Sequence, residues 1–229
     1  MPDGLRFYRS RCGRAIGVLL LAMASIPSLA AADPSLPFTE EWTGNTLHGW
    51  GSGPAGASSV NYSNPGTGGV LGAGDGYLMM STTAPDRLGS VSFAVQYTGN
   101  WQAALIRSVE VCLNDVGAAN PGLEIHFSIG TRTNFWQYNE GFHPPHNAWA
   151  QFVVDLTSET KFTHIRGTGT FDQALQNVNR IHFRHDVAPY FPNSADAIAA
   201  DVGIDHLVLS GVNVPVLPTT WGRLKAIYR

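Results

Sequence analysis

The chain is 229 residues long, 44% hydrophobic and only 14% charged, with a formal net charge of −3 at pH 7. A mildly acidic, charge-poor chain argues against nucleic acid or an anionic membrane as the main partner, because both select for a surplus of Lys and Arg. Its 25 Gly and 14 Pro, with little helical periodicity, point to an all-β protein.

The first 32 residues read as a signal peptide. Arg6, Arg9, Arg11 and Arg14 precede an apolar run from Ala15 through Pro27, and Leu29-Ala30-Ala31-Ala32 supplies the small residues that a signal peptidase needs. Cleavage between Ala30 and Asp33 is expected, with a secreted product that is extracellular or periplasmic. Losing those four arginines and Asp3 moves the charge from −3 to −6. It also leaves Cys112 as the one cysteine, so no internal disulfide can form and the fold must rely on its core or a structural metal. No later segment is long and apolar enough to span a bilayer.

The remaining chain alternates strand and turn signals. Short strands are predicted at Phe38–Trp42, Val60–Ser63, Tyr77–Ser81 and Val91–Gln96. Period-two alternation then strengthens, with Val109, Val111 and Leu113 on one side of a strand and Ser108, Glu110 and Cys112 on the other. Leu123, Ile125, Phe127 and Ile129 alternate in the same way with Glu124, His126 and Ser128. Thr133–Gln137 follows, then Ala150, Phe152, Val154 and Leu156 against Gln151, Val153 and Asp155. One short helix is expected at Phe171–Gln176, with Thr170 as N-cap and Gln173 three residues on. Ile181 and Phe183 alternate with Arg180, His182 and Arg184, and Ile204–Ser210 closes the series. Strands that are apolar on one side are buried most simply by stacking two antiparallel sheets face to face. The predicted class is therefore an antiparallel two-sheet β-sandwich over residues 33–211, with one short helix. Residues 212–229 form a linker with two prolines and a short tail.

The polar sides of two of these strands carry Glu124, His126 and Ser128, and Arg180, His182 and Arg184. Trp136 and Tyr138 stand just beyond the first. If the strands share a sheet, the result is a polar surface edged by aromatics. Sugars suit such a surface, because aromatic faces cover C–H patches while charged side chains take hydroxyls. The alternative is an ordinary solvated sheet face with Trp136 in the core. His143-Pro144-Pro145-His146 reads as a stiff exposed turn whose two histidines lack a third metal-ligand partner at useful spacing. The chain has no G-x-S-x-G elbow and no H-E-x-x-H motif. Glu110 and Glu124 remain a conceivable carboxylate pair.

Phe38-Thr39-Glu40-Glu41-Trp42, Gly49-Trp50, Gly74-Asp75-Gly76-Tyr77-Leu78 and Gly203-Ile204-Asp205-His206-Leu207 together resemble a known pattern. It is that of jelly-roll carbohydrate-binding modules with a galactose-binding-like fold and of laminin B-like extracellular domains. The resemblance implies neighbouring first and last strands and a structural Ca²⁺ held by Glu40 and Asp205, with Asp75 or Asp201 contributing. It also implies a non-catalytic module for a glycan or an extracellular matrix component. A structural or adhesive surface protein that binds protein partners is one alternative; a polysaccharide-acting hydrolase or lyase is another.

Overall fold

Two antiparallel sheets built from eleven strands make up the computed structural model, which describes residues 33–53, 57, 59–190 and 195–211. The expected signal peptide and the linker and tail lie outside the described residues. The first sheet runs β2 (Asn61–Ser63), β3 (Leu78–Ser81), β11 (Asp201–Gly211), β5 (Ile106–Val116) and β8 (Ala150–Asp155). β1 (Phe38–Glu40) pairs with the second half of β11, opposite Leu207 to Leu209, so the first and last strands are neighbours as the resemblance implies. The second sheet runs β4 (Gly89–Ser92), β10 (Arg180–His185), β6 (Ile125–Gly130), β7 (Asn134–Tyr138) and β9 (Phe162–Gly167).

The core forms where the inward sides of the sheets meet. Leu78, Met80, Val109, Val111, Leu113, Val154, Val202, Ile204, Leu207 and Leu209 come from the first sheet, and Phe127, Ile129, Ile181 and Phe183 from the second. β11 shows why its alternation is weak in the sequence. A bulge after Asp205, with His206 in the left-handed region at φ 47°, inserts a residue and moves the inward set from Val202 and Ile204 to Leu207 and Leu209. The helix α1 (Phe171–Gln176) has the expected capping box: the Thr170 hydroxyl accepts from the Gln173 N–H at 3.2 Å, and the Thr170 N–H donates to Gln173 Oε1 at 3.0 Å.

Three expectations change. The strand expected over Val91–Gln96 ends at Ser92, and Val95–Tyr97 tightens into a 3-10 turn that buries Tyr97. β9 was not anticipated, because its buried residues Phe162 and Ile165 are three apart, and a register shift against β7 breaks the alternation. The polar side of β6 and β10 is not solvated: His126 and Ser128 are fully buried and Arg184 is only 3% exposed.

Candidate functional site

Register fixes what stands on the outer side of the second sheet. Each row crosses from β10 through β6, because Arg184 pairs with His126, His182 with Ser128, and Arg180 with Gly130. β7 extends two rows by pairing Gln137 with Ser128 and Phe135 with Gly130, and β9 adds Arg166 beside Phe135. The rows have distinct chemistry.

Around Arg184 and Gln137 the polar groups satisfy one another. Arg184 donates from Nη2 to Asp186 and from Nε to Gln137 Oε1 at 2.7 Å, and Gln137 Nε2 donates to Asp186 Oδ2 at 2.9 Å. Ser128 donates to the same Gln137 oxygen at 3.2 Å. Burial lowers the Arg184 pKa and the Asp186 charge opposes that shift. Next to this group, His126 donates from Nδ1 to the Tyr138 carbonyl at 2.8 Å, and its Nε2 meets Glu124 Oε1 at 2.9 Å. Tyr190 lays its ring edge-on against His126 at 4.9 Å and donates to the Asn139 carbonyl. The sequence had suggested Arg184, His126 and Glu124 as exposed ligand contacts. Arg184 and His126 are instead buried and bonded to groups inside the protein, Arg184 to Gln137 and Asp186 and His126 to the Tyr138 carbonyl.

The row through Arg180 is open in chemical terms. Arg180 places its guanidinium carbon 4.8 Å from the Phe135 ring centre, and its buried Nε and Nη2 have no hydrogen-bond partner. Gly130, between them in register, adds no side chain that would separate the two. Burial lowers the Arg180 pKa, and the next causes are two like charges, Arg166 and Arg132. His182, only 5% exposed, lies behind this row at 6.4 Å from the Phe135 ring, and its Nε2 has no partner. Burial first, then Arg184 and Arg180, hold His182 well below the usual histidine range, so it is neutral near pH 7. One residue past Ser92, which pairs with Ile181, Phe93 continues the row at its open edge and is 53% exposed.

Trp136 and Tyr138 are corrected. Trp136 pairs with Ile129 and so faces the core, where it stacks on His164 at 4.6 Å and donates to Asn134 Oδ1. Tyr138 packs on Phe142 and Phe162. Phe135 and Trp136 are both large aromatics, which hid the parity of β7. The aromatic on the outer side is Phe135, and Gln137 two residues on was the signal that could have found it. Arg132 and Arg166 were also missed, because neither lies on an alternating strand, and Phe93 was not singled out although it lies within the strand expected over Val91–Gln96.

The four acids proposed for Ca²⁺ do not form one site. Glu40 is opposite Leu207 and points inward, accepting from the Trp42 N–H, the Tyr97 hydroxyl at 3.1 Å and, at 2.6 Å, meeting His48 Nδ1. Asp201 lies four residues up β11, about 13 Å along an extended strand from Asp205, and faces Asp115 and Gly117. Asp75 and Asp205 do converge: a Cβ on Gly69 would stand 2.5 and 2.7 Å from their Oδ2 atoms. Each accepts an N–H from that loop, Asp75 from Leu71 and Asp205 from Val70, both at 2.7 Å. Burial pushes the Asp205 carboxyl up to about 6, with Asp75 and Glu41 adding to the rise. A buried Glu41 oxygen lacks a donor. Among the described residues no three His, Cys, Asp or Glu side chains converge closely enough to hold a metal ion. Of the four acids, only Asp75 and Asp205 are brought together.

Glu110 and Glu124 do not pair. Glu110 is on β5 in the first sheet and accepts from Gln151, whereas Glu124 precedes β6 in the second sheet and meets His126. Among the described residues no helix is long and apolar enough to cross a membrane.

Among solved structures the chain is similar to the family 11 carbohydrate-binding module of the cellulosomal cellulase Lic26A-Cel5E of Clostridium thermocellum. The identity is 18%, covering 78% of this chain and 96% of that one, with a TM-score of 0.49. It is similar to an exo-β-agarase at 9% identity and a TM-score of 0.52, covering 75% of this chain and 25% of that chain. A tandem pair of family 22 carbohydrate-binding modules from Paenibacillus barcinonensis Xyn10C matches at 12% identity and a TM-score of 0.47, covering 82% of this chain and 49% of that one. No protein-family model matches the chain, and no curated protein matches it. These likenesses are of fold. The chain is an antiparallel two-sheet β-sandwich, a fold it shares with part of the exo-β-agarase.

Proposed function

We propose that this protein is a secreted, non-catalytic glycan-binding module, and that it binds on the outer side of the second sheet at the Phe93, Arg180, Phe135 and Arg166 row. The observation that carries this reading is the row itself. An arginine is stacked on an aromatic ring with two guanidinium nitrogens unanswered, next to an exposed phenylalanine and a second arginine. Beside it on the same side of the sheet, the Arg184, Gln137 and Asp186 network fixes the neighbouring row, so little ordering remains to be done when a ligand arrives. Phe93 supplies the apolar face on which a pyranose ring can lie, and arginine supplies a planar set of donors for its oxygens. Glycans of the extracellular matrix or the cell surface are within this class.

The test is affinity electrophoresis of the protein from Asp33 onward in gels containing a panel of polysaccharides. Retardation by at least one polysaccharide, reduced in Phe93→Ala with an unchanged circular dichroism spectrum, supports the reading. No retardation by any polysaccharide contradicts it.

For the cation we propose the narrower pair, with Asp75 and Asp205 as the residues that would hold Ca²⁺. Its charge would offset two neighbouring buried carboxylates and tie the loop around Gly69 to β11. It has no role in binding the glycan, because Asp205 is on β11 of the first sheet and Asp75 is in the loop before β3.

A further inference from the structure

Resting on the glycan reading above, we propose that the site selects acidic glycans, whose carboxylate or sulfate groups are held by Arg180, Arg166 and Arg132. The distribution of cations carries the argument. Between Asp33 and Gly211 the sequence has seven basic residues: Arg87, Arg107, Arg132, Lys161, Arg166, Arg180 and Arg184. Lys161 is paired with Asp155 and Arg184 with Asp186. Three of the others gather at one end of one sheet face, on a chain whose overall charge is negative. Arg166 pairs with Phe135 in register on β9 and Arg180 lies over the same ring from β10, so the two arginines belong to strands on either side of that position.

Like charges held this close repel, and no carboxylate of the described residues forms an ion pair or hydrogen bond with any of the three side chains. The arrangement is therefore electrostatically incomplete without an anion. A second observation points the same way. The His182 Nε2 and the Arg180 Nε and Nη2 are all buried and unanswered next to one another, and each such group left without a partner costs free energy that an anionic oxygen would recover. A neutral sugar offers hydroxyls, which engage arginine without neutralising it. A uronate carboxylate or a sulfate ester offers two or three oxygens in the geometry a guanidinium fork fits.

The test is calorimetric titration of the protein from Asp33 onward with three oligosaccharides of equal length: an oligogalacturonate, a sulfated galactan and a neutral xylo-oligosaccharide. An acidic chain should bind at least about tenfold more tightly than the neutral one, since charge-assisted hydrogen bonds are worth more than neutral ones. Binding should weaken as salt is raised, because exposed Arg132 and half-buried Arg166 are screened. Arg166→Ala and Arg132→Ala should each weaken acidic binding about tenfold, and Arg180→Met, which keeps an apolar stem over Phe135, should weaken it at least as much. Arg107→Ala, on the first sheet, should bind as wild type. Equal affinity for neutral and acidic chains, with the arginine variants unaffected, overturns this inference and leaves the glycan reading standing. A folded protein that binds none of the three overturns both.

Discussion

Arg180 and Arg184 stand on the same side of the same strand, four residues apart, and the fold treats them oppositely. Arg184 is locked to Asp186 and Gln137 in a buried, self-satisfied group, while Arg180 lies over Phe135 with its Nε and Nη2 unanswered. Such a contrast separates scaffold from site, because hydrogen bonds closed inside the protein hold geometry and open ones are available to a ligand.

The scaffold half of that contrast predicts a stability effect. Asp186→Ala leaves the Arg184 charge buried without its partner, a change that typically costs about 3–5 kcal/mol. Urea unfolding followed by circular dichroism should show a midpoint far below wild type. The double variant Arg184→Met with Asp186→Leu should recover much of the loss, because it removes both charges. An Asp186→Ala midpoint within error of wild type would mean that the network is not closed.

Trp136 and Phe93 should respond in opposite ways. Trp136 is a core residue between His164 and Phe171, so Trp136→Ala should cost about 3–5 kcal/mol in unfolding experiments. Phe93 is more than half exposed, so Phe93→Ala should change stability by only about 0.5 kcal/mol while reducing glycan binding. Comparable losses of stability in the two variants would reverse the assignment of the faces.

Much of this architecture was legible from alternation alone. β5, β6, β8 and β10 were anticipated with the correct inward sides, because each sets one apolar row against one polar row, and α1 was anticipated from Thr170 and Gln173. What failed was any inference that needed parity where both sides are apolar or where a bulge intervenes. β7 places Phe135 outward and Trp136 inward with nothing in their chemistry to tell them apart. β11 changes parity at His206, so Glu40 and Asp205 face opposite sides of a sheet they appeared to share. The arginine cluster was invisible for a different reason: Arg132, Arg166 and Arg180 are brought together only by the pairing of β6, β7, β9 and β10.

Acid should weaken the fold through His182. Burial among Arg180 and Arg184 holds its folded pKa well below 6.5, so the folded state resists taking up a proton that the unfolded chain accepts. The neutral ring's contribution is complete above pH 6.5 and is lost as pH falls below it. His182→Gln should therefore reduce the loss of stability measured between pH 7 and pH 5, by up to about 1.4 kcal/mol per pH unit. An unchanged pH dependence in this variant would show that His182 titrates normally in the folded protein.

Thermal melts test the cation pair. If Asp75 and Asp205 hold Ca²⁺, the melting temperature should rise with Ca²⁺ concentration, fall with chelator, and become insensitive to both in Asp205→Asn. Glu40→Gln should remain responsive to Ca²⁺, because Glu40 faces the core. Identical wild-type melts in Ca²⁺ and in chelator would remove the site.

The most direct test of the binding face is a map of it. An oligogalacturonate titrated into ¹⁵N-labelled protein should shift the backbone amides of Phe93, Arg132, Phe135, Arg166 and Arg180 and the arginine side-chain Nε–Hε signals of that cluster. The amides around Glu110, Gln151 and Val153 on the opposite sheet should stay in place. Saturable shifts confined to that opposite sheet would contradict the assignment of the second sheet's outer side as the place where this protein meets its ligand.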